Sequence, residues 1–496
     1  MALTATSQRF FDSNTSPGIA SRIGRGLFAT ADFGIGGDVL HIERPFLAVL
    51  ETDRLDDTCA GCFGATSSEQ GESIKPLPCS GCQVTKYCNK TCQAQDWNLG
   101  HRLECPIFKK LKPRILPINA RAVLRIILRM SAPPRFAFDP DELNLFDQLE
   151  SHMDEIRTTN APVWERITLS SMAVKRYSGT EMELEEILKI SAKLDVNSFS
   201  LTTAAYDRVG VYLHPYAAIM NHDCNYNAIV GFDGPEMYVK AIRPIKKDDQ
   251  IFISYVDATN RFSVRNKELL QRFYFTCRCN KCLYEEGEPL ELPGAVVDAY
   301  ALLESDSASY EGDQLMGTIT NLTDLSWSIS EQPLVAIVDE YIATLLSENE
   351  IASALSAAAL RYLHIDPDLY PEGHSLRVVH AWALANIALH ASESRPRTVL
   401  KVYGGIIDGS MYQGGEVSVN TKFIAYSVLN TLVLGGNESC VVPGLKETIR
   451  RAYAQLDEEL RAQGTHLREE MDRVSGDWAK LDRVALSIVG KHVKRR

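Results

Sequence analysis

Apolar and polar positions divide the chain into stretches with different periods. Residues 19–50 read as short strands. "GRGLFAT" (24–30) is glycine punctuation followed by apolar residues, and "DFGIGGDVLHIERPFLAVL" (32–50) is a turn followed by alternating and apolar strand-like runs. Residues 119–131 space their apolar side chains at helical intervals, which predicts a helix with Asn119 at its N-cap and Pro133-Pro134 as its stop. Residues 141–157 and 182–194 also read as helices, so the three form an insertion between two β segments. Residues 195–256 return to strands, in "AIVGFD", "EMYVKAIRPI" and "DDQIFISYV", separated by Gly-Pro and Lys-Asp turns. Short strands with helices between them predict an α+β domain rather than a doubly wound sheet.

From about residue 290 the pattern becomes helical. Helices are predicted at 294–304, 333–347, 350–363, 374–391, 420–435 and 443–463, a succession that suggests an α-solenoid of tetratricopeptide type without that repeat's specific signature. His374, His380 and His390 share no tight i, i+4 face and read as packing or surface residues. "GGIIDGSMYQGGE" (404–416) is a glycine-rich connection with no phosphate-loop spacing. The terminal "GKHVKRR" (490–496) reads as a solvated basic tail, with a nuclear-import signal as the alternative.

The totals narrow the class. The length of 496 residues suggests about three domains of ~150 residues. An apolar fraction of 45% supports sizeable cores. A formal net charge of −12 argues against direct DNA binding as the main activity. Lys75, Lys86, Lys90, Arg102, Lys109, Lys110, Lys112 and Arg114 give residues 75–114 a local basic surface, read as a solvated face rather than a nucleic-acid site. No apolar run is long enough for a membrane span. The first residues lack the pattern of a secretory signal, so the expected residence is the cytoplasm and/or the nucleus, where thiols stay reduced.

Cysteine placement then changes the picture. Cys59-x2-Cys62, Cys79-x2-Cys82, Cys88-x3-Cys92 and His101-x3-Cys105 form four pairs, each spaced to clasp one ion. Pairs one and three would share one zinc and pairs two and four another, closing both coordination spheres. Cys277-x-Cys279-x2-Cys282 supplies three more ligands, one short of a structural site. Cys224, alone in "NHDCNYN" (221–227), is the natural fourth; the alternative is an ordinary small buried residue. Twelve ligands then make three zinc sites, leaving only Cys440 unused.

The first cluster, with "KYCNKTCQAQDW" (86–97), resembles a MYND finger, a module that receives proline-containing peptides. "GRGLFA", an interrupting finger, "NHDCN", "IFISYVD" and C-x-C-x2-C occur in this order in the SET-and-MYND (SMYD) lysine methyltransferases, and the resemblance covers roughly residues 18–284. It implies a SET β-fold with a pseudoknot, in which the later "ISYVD" segment passes through a loop of earlier chain and Cys224 locks the crossing. The implied organisation is an N-terminal SET part at 1–58, MYND finger at 59–105, helical insertion at 106–194, C-terminal SET part at 195–258, post-SET segment at 259–284 and helical-repeat domain at 290–496.

The resemblance further implies transfer of methyl groups from S-adenosylmethionine to a protein lysine, histone or non-histone, by a monomer. Gly24, Arg25 and Gly26 match the cofactor loop, Asn197, Asn221 and His222 match cofactor contacts, and Phe275 matches the aromatic that stacks on adenine. Tyr255 matches the tyrosine that orients the reaction centre. Phe273 stands where many relatives place a lysine-channel tyrosine, and Ile23 stands where some place a basic residue, with Arg22 one position earlier. The alternative function is a zinc-dependent adaptor, built from finger and helical repeats, whose SET domain is weak or inactive.

Overall fold

The computed structural model describes residues 11–20, 23–64, 75–287, 291–305, 310–394, 397–407, 410–463 and 467–490. Arg22 and most of the 490–496 tail lie outside them. Two compact units result: one holds Met1–Tyr255, Asn266–Cys277 and Val442–Leu445, the other Val256–Arg265, Arg278–Val441 and Lys446–Arg496.

The first unit is built on small antiparallel sheets. Four strands run in the spatial order Phe11–Ser13, Asp38–Ile42, Glu236–Ala241, Ala228–Asp233. The inner pair joins chain nearly two hundred residues apart, with Leu40 opposite Val239 and Ile42 opposite Met237, all four buried. A second sheet places Arg208–Leu213 between Leu47–Leu50 and Phe199–Thr202. "LAVL" is buried at every position of its strand, which explains a continuous apolar run in place of alternation.

Leu47–Leu50 is an edge strand, and helix Ile118–Met130 covers its open side. Arg121, Arg125 and Arg129, one per turn, donate to the carbonyls of Leu50, Ala48 and Phe46 at 2.9, 2.9 and 2.8 Å. The two periods match: four helical residues rise about 6 Å, and two strand residues about 6.6 Å. Carbonyls that would otherwise be exposed at a sheet edge are thereby satisfied.

The insertion departs from its predicted boundaries. Pro117, not Asn119, holds the N-cap position of Ile118–Met130, where its fixed φ suits the start of a helix. The expected helix at 141–157 is two, Pro140–Asp147 and Met153–Thr159, broken at His152 with its left-handed φ of 44°. Ala161–Ser178 was not anticipated; Asn160 caps its start, and Gly179 at φ 69° ends it. Leu184–Asn197 follows, close to the expected 182–194.

The second unit is largely helical. Gly294–Glu304, Leu334–Ser347, Ile351–Leu360, Ser375–Ser394, Thr421–Leu434 and Pro443–Ala462 lie close to their expected places along the chain. Gly312–Asp324 and Leu467–Val489 are additional. The glycine-rich connection is not a plain loop: Thr398–Val402 pairs with Gly415–Val419, and Gly405–Ile407 with Ser410–Tyr412. His374 is buried and stacks on Tyr370 at 4.5 Å, His380 bonds Asp366 at 2.9 Å, and His390 is exposed beside Glu393, so all three serve packing or surface. Among the described residues, no helix is long and apolar enough to cross a membrane.

Candidate active site and metal centres

The NHDCNYN run forms one side of a short parallel pair, Asn221 opposite Phe252 and His222 opposite Ile253. Asn227 clamps this pair. Its amide donates to the Gln250 carbonyl at 2.9 Å, and its oxygen accepts the Phe252 N–H at 2.8 Å. On its other side the 249–251 segment bonds the N-terminal chain, with Ile251 N–H donating to the Leu27 carbonyl at 2.8 Å. Residues 249–253 therefore run between two earlier pieces of chain, the arrangement expected of the crossing.

Asn221 and His222 then have separate tasks. The Asn221 amide donates to the Arg25 carbonyl at 2.8 Å, tying the glycine loop to the crossing. A side chain at Gly26 would have to displace two amides, since a Cβ would stand 2.3 Å from Gln250 Nε2 and 2.7 Å from Asn221 Nδ2. His222 Nδ1 accepts the Tyr255 N–H at 3.0 Å, which leaves Nε2, 3.3 Å from Cys224 Sγ, to carry the proton of a neutral ring. The imidazole thus positions both Tyr255 and a metal-ligand sulfur.

An aromatic wall surrounds this point. The Tyr255 ring lies 4.9 Å from Phe273, 6.3 Å from Phe275 and 5.4 Å from His222, and His222 lies 6.0 Å from Phe275. The Tyr255 hydroxyl donates to the Met220 carbonyl. Burial pushes that phenol well above its ordinary range, so it stays protonated and acts as a hydrogen-bond donor rather than a base.

Residues 146–150 present carbonyls to two cations and one amide. Arg25 donates to the side chain and the backbone carbonyl of Gln148. Lys193 Nζ donates to the carbonyls of Phe146 and Asp147 at 3.0 and 2.6 Å, and Asn197 Nδ2 donates to that of Glu150 at 2.8 Å. Burial lowers the Lys193 ammonium below its usual value.

Three sulfur-rich clusters complete the picture. Cys79, Cys82, His101 and Cys105 bring their ligand atoms within 4.8 Å of one another, as do Cys224, Cys277, Cys279 and Cys282. Cys59, Cys62 and Cys92 form the remaining group, and Cys88 Sγ lies 3.9 Å from Cys62 Sγ. The interleaved pairing is as the spacing implies. The donor sets suit tetrahedral zinc. Backbone N–H groups of Gly61, Cys88 and Val84 point at the sulfurs of Cys59 and Cys82, the polarity that a thiolate needs. Both finger knuckles, C-A-G-C and C-S-G-C, need their glycine: a Cβ on Gly61 would meet the Cys92 carbonyl at 2.3 Å, and one on Gly81 the Cys105 sulfur at 2.7 Å.

Comparison with known proteins bears on this arrangement. A family model described as a MYND finger matches residues 59–105. The SET domain and MYND-type zinc finger protein 6 of Schizosaccharomyces pombe is 31% identical over 53% of this chain and 51% of its own length. The histone-lysine N-methyltransferase SMYD3 of Homo sapiens is 25% identical over 73% of this chain and 87% of its own. Over about half of its length the chain is thus similar to SET-and-MYND proteins. The N-lysine methyltransferase SMYD2 of Gallus gallus is 28% identical over 54% of this chain and 60% of its own. The chain spans about half the length of the first curated relatives it matches, 51% and 56%. A solved structure of Rubisco LSMT bound to AdoMet aligns at 14% identity over 76% of this chain and 86% of that one, with a TM-score of 0.30, a score that carries no weight for the architecture.

The structure brings Arg25, Gly26, Asn221, His222, Tyr255, Phe273 and Phe275 into one connected cluster. Gly24 opens the loop at φ 81° with no neighbour around its missing Cβ. Asn197 is linked to Arg25 through the 146–150 segment, its amide also holding the carbonyl of Lys193 at 2.7 Å. Ile23, at the position where some SET-and-MYND proteins carry a basic residue, is half exposed. Sequence reasoning missed Asn227, although it closes the same heptapeptide, and it missed the 146–150 carbonyls, because backbone acceptors leave no trace in residue identity.

Proposed function

We propose that this chain is an S-adenosylmethionine-dependent protein-lysine N-methyltransferase. The observation that supports it most directly is the Asn221–Arg25 bond, which sets the glycine loop against a cluster of Tyr255, Phe273, Phe275 and His222. The residues fit the cofactor chemically. Arg25 offers a cation for a carboxylate, Asn197 and Asn221 offer amides, and Phe275 offers a ring for a base. When bound, S-adenosylmethionine supplies a methyl group on a sulfonium that is already a good leaving group.

The chain's own task is alignment and exclusion of water. Phe273 and Tyr255 exclude water, and it is desolvation, together with the positive charge that a bound sulfonium would bring, that disfavours an ammonium ion. A substrate lysine, ordinarily protonated up to about pH 10.4, is pushed toward the neutral amine that can react. Tyr255 orients through a retained hydroxyl proton. Phe273 adds no hydroxyl, so the channel lacks one fixed donor that a tyrosine would bring, and the number of methyl groups added depends on this position.

The substrate is a protein with an accessible lysine, histone or non-histone, and the MYND finger is the expected surface for proline-containing peptides. The domain boundaries given above are part of this reading. So is residence in the cytoplasm and/or nucleus, because eleven cysteine ligands need a reducing compartment.

Calorimetric titration with S-adenosylmethionine, followed by methyl transfer to lysine peptides, tests the assignment. The expected result is one binding event per chain and transfer that falls about 100-fold in Tyr255→Phe, as loss of an orienting group should, while cofactor affinity changes less than transfer does. Absence of cofactor binding would favour the adaptor reading, which Phe273 keeps open.

A further inference from the structure

Arg121 and Arg125 of helix Ile118–Met130 bond the edge strand Leu47–Leu50, and Arg129 bonds Phe46 just before it, but Arg125 does more than its neighbours. It forms a two-pronged pair with Glu104, at 2.6 and 2.8 Å, and reaches Asp96 at 3.0 Å. Glu104 in turn faces a metal-cluster histidine: its Oε2 lies 3.7 Å from His101 Nδ1, while His101 Nε2 lies 3.5 Å from Cys82 Sγ. Tyr87 closes the set by donating to Asp96 at 2.7 Å. His101, Glu104, Asp96 and Arg125 are 0, 1, 2 and 6% exposed, so water does not compete for these contacts.

An imidazole that binds metal through Nε2 carries its proton on Nδ1, and a carboxylate facing that proton fixes the ring and strengthens the ligand. The same guanidinium that holds the carboxylate also donates to Ala48 at 2.9 Å. A run of polar groups, with one 3.7 Å step between His101 and Glu104, therefore leads from the cluster Cys79, Cys82, His101 and Cys105 to the sheet.

We propose that Glu104 and Arg125 are positioning residues for the zinc ion of that cluster, and that through Arg125 its occupancy is coupled to the Leu47–Leu50 strand. This rests on the reading of those four residues as a zinc site, which a direct metal count tests separately. Asp96, held by both Tyr87 and Arg125, keeps the guanidinium from swinging away.

The test uses the full zinc-loaded chain and a chromogenic chelator, with ions released per chain counted against time. Glu104→Gln is expected to weaken retention of one ion by about 10–100-fold and to leave the others as in the parent. Arg121→Met is the control, because it removes the strand bond at Leu50 but touches neither Glu104 nor His101. Its release profile should match the parent. In a His101→Cys background, which keeps four ligands but has no Nδ1, Glu104→Gln should have no further effect on release. In the parent, removing that single ion should speed amide hydrogen exchange across residues 47–50, and Arg125→Met should abolish this response. If Glu104→Gln fails to fold, Glu104→Asp, which draws the carboxylate back while keeping its charge, reads the same rate. Equal release from Glu104→Gln and parent, or equal acceleration by Arg121→Met, would overturn the proposal. A parent chain that carries no ion at this cluster would instead overturn the zinc reading beneath it.

Discussion

Single residues at the crossing are fixed by space as much as by chemistry. Gly26 illustrates this. A methyl there would overlap the side-chain amides of Gln250 and of Asn221, the latter of which ties the loop to the later chain. Gly26→Ala is expected to cost about 1–3 kcal/mol and to weaken cofactor binding. Gly24→Ala has open space and pays only for left-handed backbone, about 1–2 kcal/mol. Comparing urea midpoints and cofactor titrations of the two checks this; Gly26→Ala binding cofactor as the parent does would refute it. Metal ligands were the most legible residues in the sequence, because zinc spacing is local and each pair announces itself within a few positions. Glu104 and Arg125 were not legible. Periodicity assigns arginines to solvent, and only the structure shows that Arg125 is buried against a carboxylate. Burial pushes the Glu104 acid up, but that guanidinium outweighs it and holds it at about 2.

At the scale of elements, long apolar helices were readable and irregular ones were not. Leu334–Ser347 and Gly294–Glu304 match their expected bounds closely because their apolar periodicity is uninterrupted. The break at His152 and the helix Ala161–Ser178 depend on a left-handed residue and an Asn cap, weaker signals than a hydrophobic stripe. Strand pairing was legible in pieces but not in partner. Between the paired strands Asp38–Ile42 and Glu236–Ala241, His41 Nε2 meets Glu236 Oε2 at 2.7 Å. The hydrogen bond to Glu236 raises the imidazole above its ordinary value, and the same bond lowers the carboxyl. The His41 contribution is complete below about pH 6.5, its unfolded value, and is lost as pH rises through the raised folded value. The Glu236 contribution is complete above about pH 4.3 and is lost as pH falls through the lowered one. A double-mutant cycle with His41→Gln and Glu236→Gln should give coupling below about 1 kcal/mol near pH 6, falling to none near pH 9. Coupling of equal size at both would contradict the pairing.

At the scale of the molecule, metal and sheet depend on distant chain. Cys224 stands with Cys277, Cys279 and Cys282, and Arg265 lies 3.6 Å from the Cys282 sulfur while pairing with Glu285 at 2.6 Å. Native mass spectrometry should find three zinc ions in the parent and two in Cys224→Ser, with weaker cofactor binding in the variant. Two ions in the parent would end the assignment of the third cluster. The order of motifs carried the SET-and-MYND reading because it is a global property that no local accident reproduces. The division into two units was less legible: its boundaries cross at 255–278 and 442–445, where tertiary contacts rather than composition decide.

The pairing of Asp38–Ile42 with Glu236–Ala241 has a consequence for synthesis. At ~5–20 residues per second, a ribosome needs roughly 10–40 s to deliver the partner after the first strand has emerged. The finger, by contrast, has all its ligands by residue 105 and needs only metal. It can close early, while Leu40 and Ile42 wait with their apolar faces bare for a neighbour still being translated.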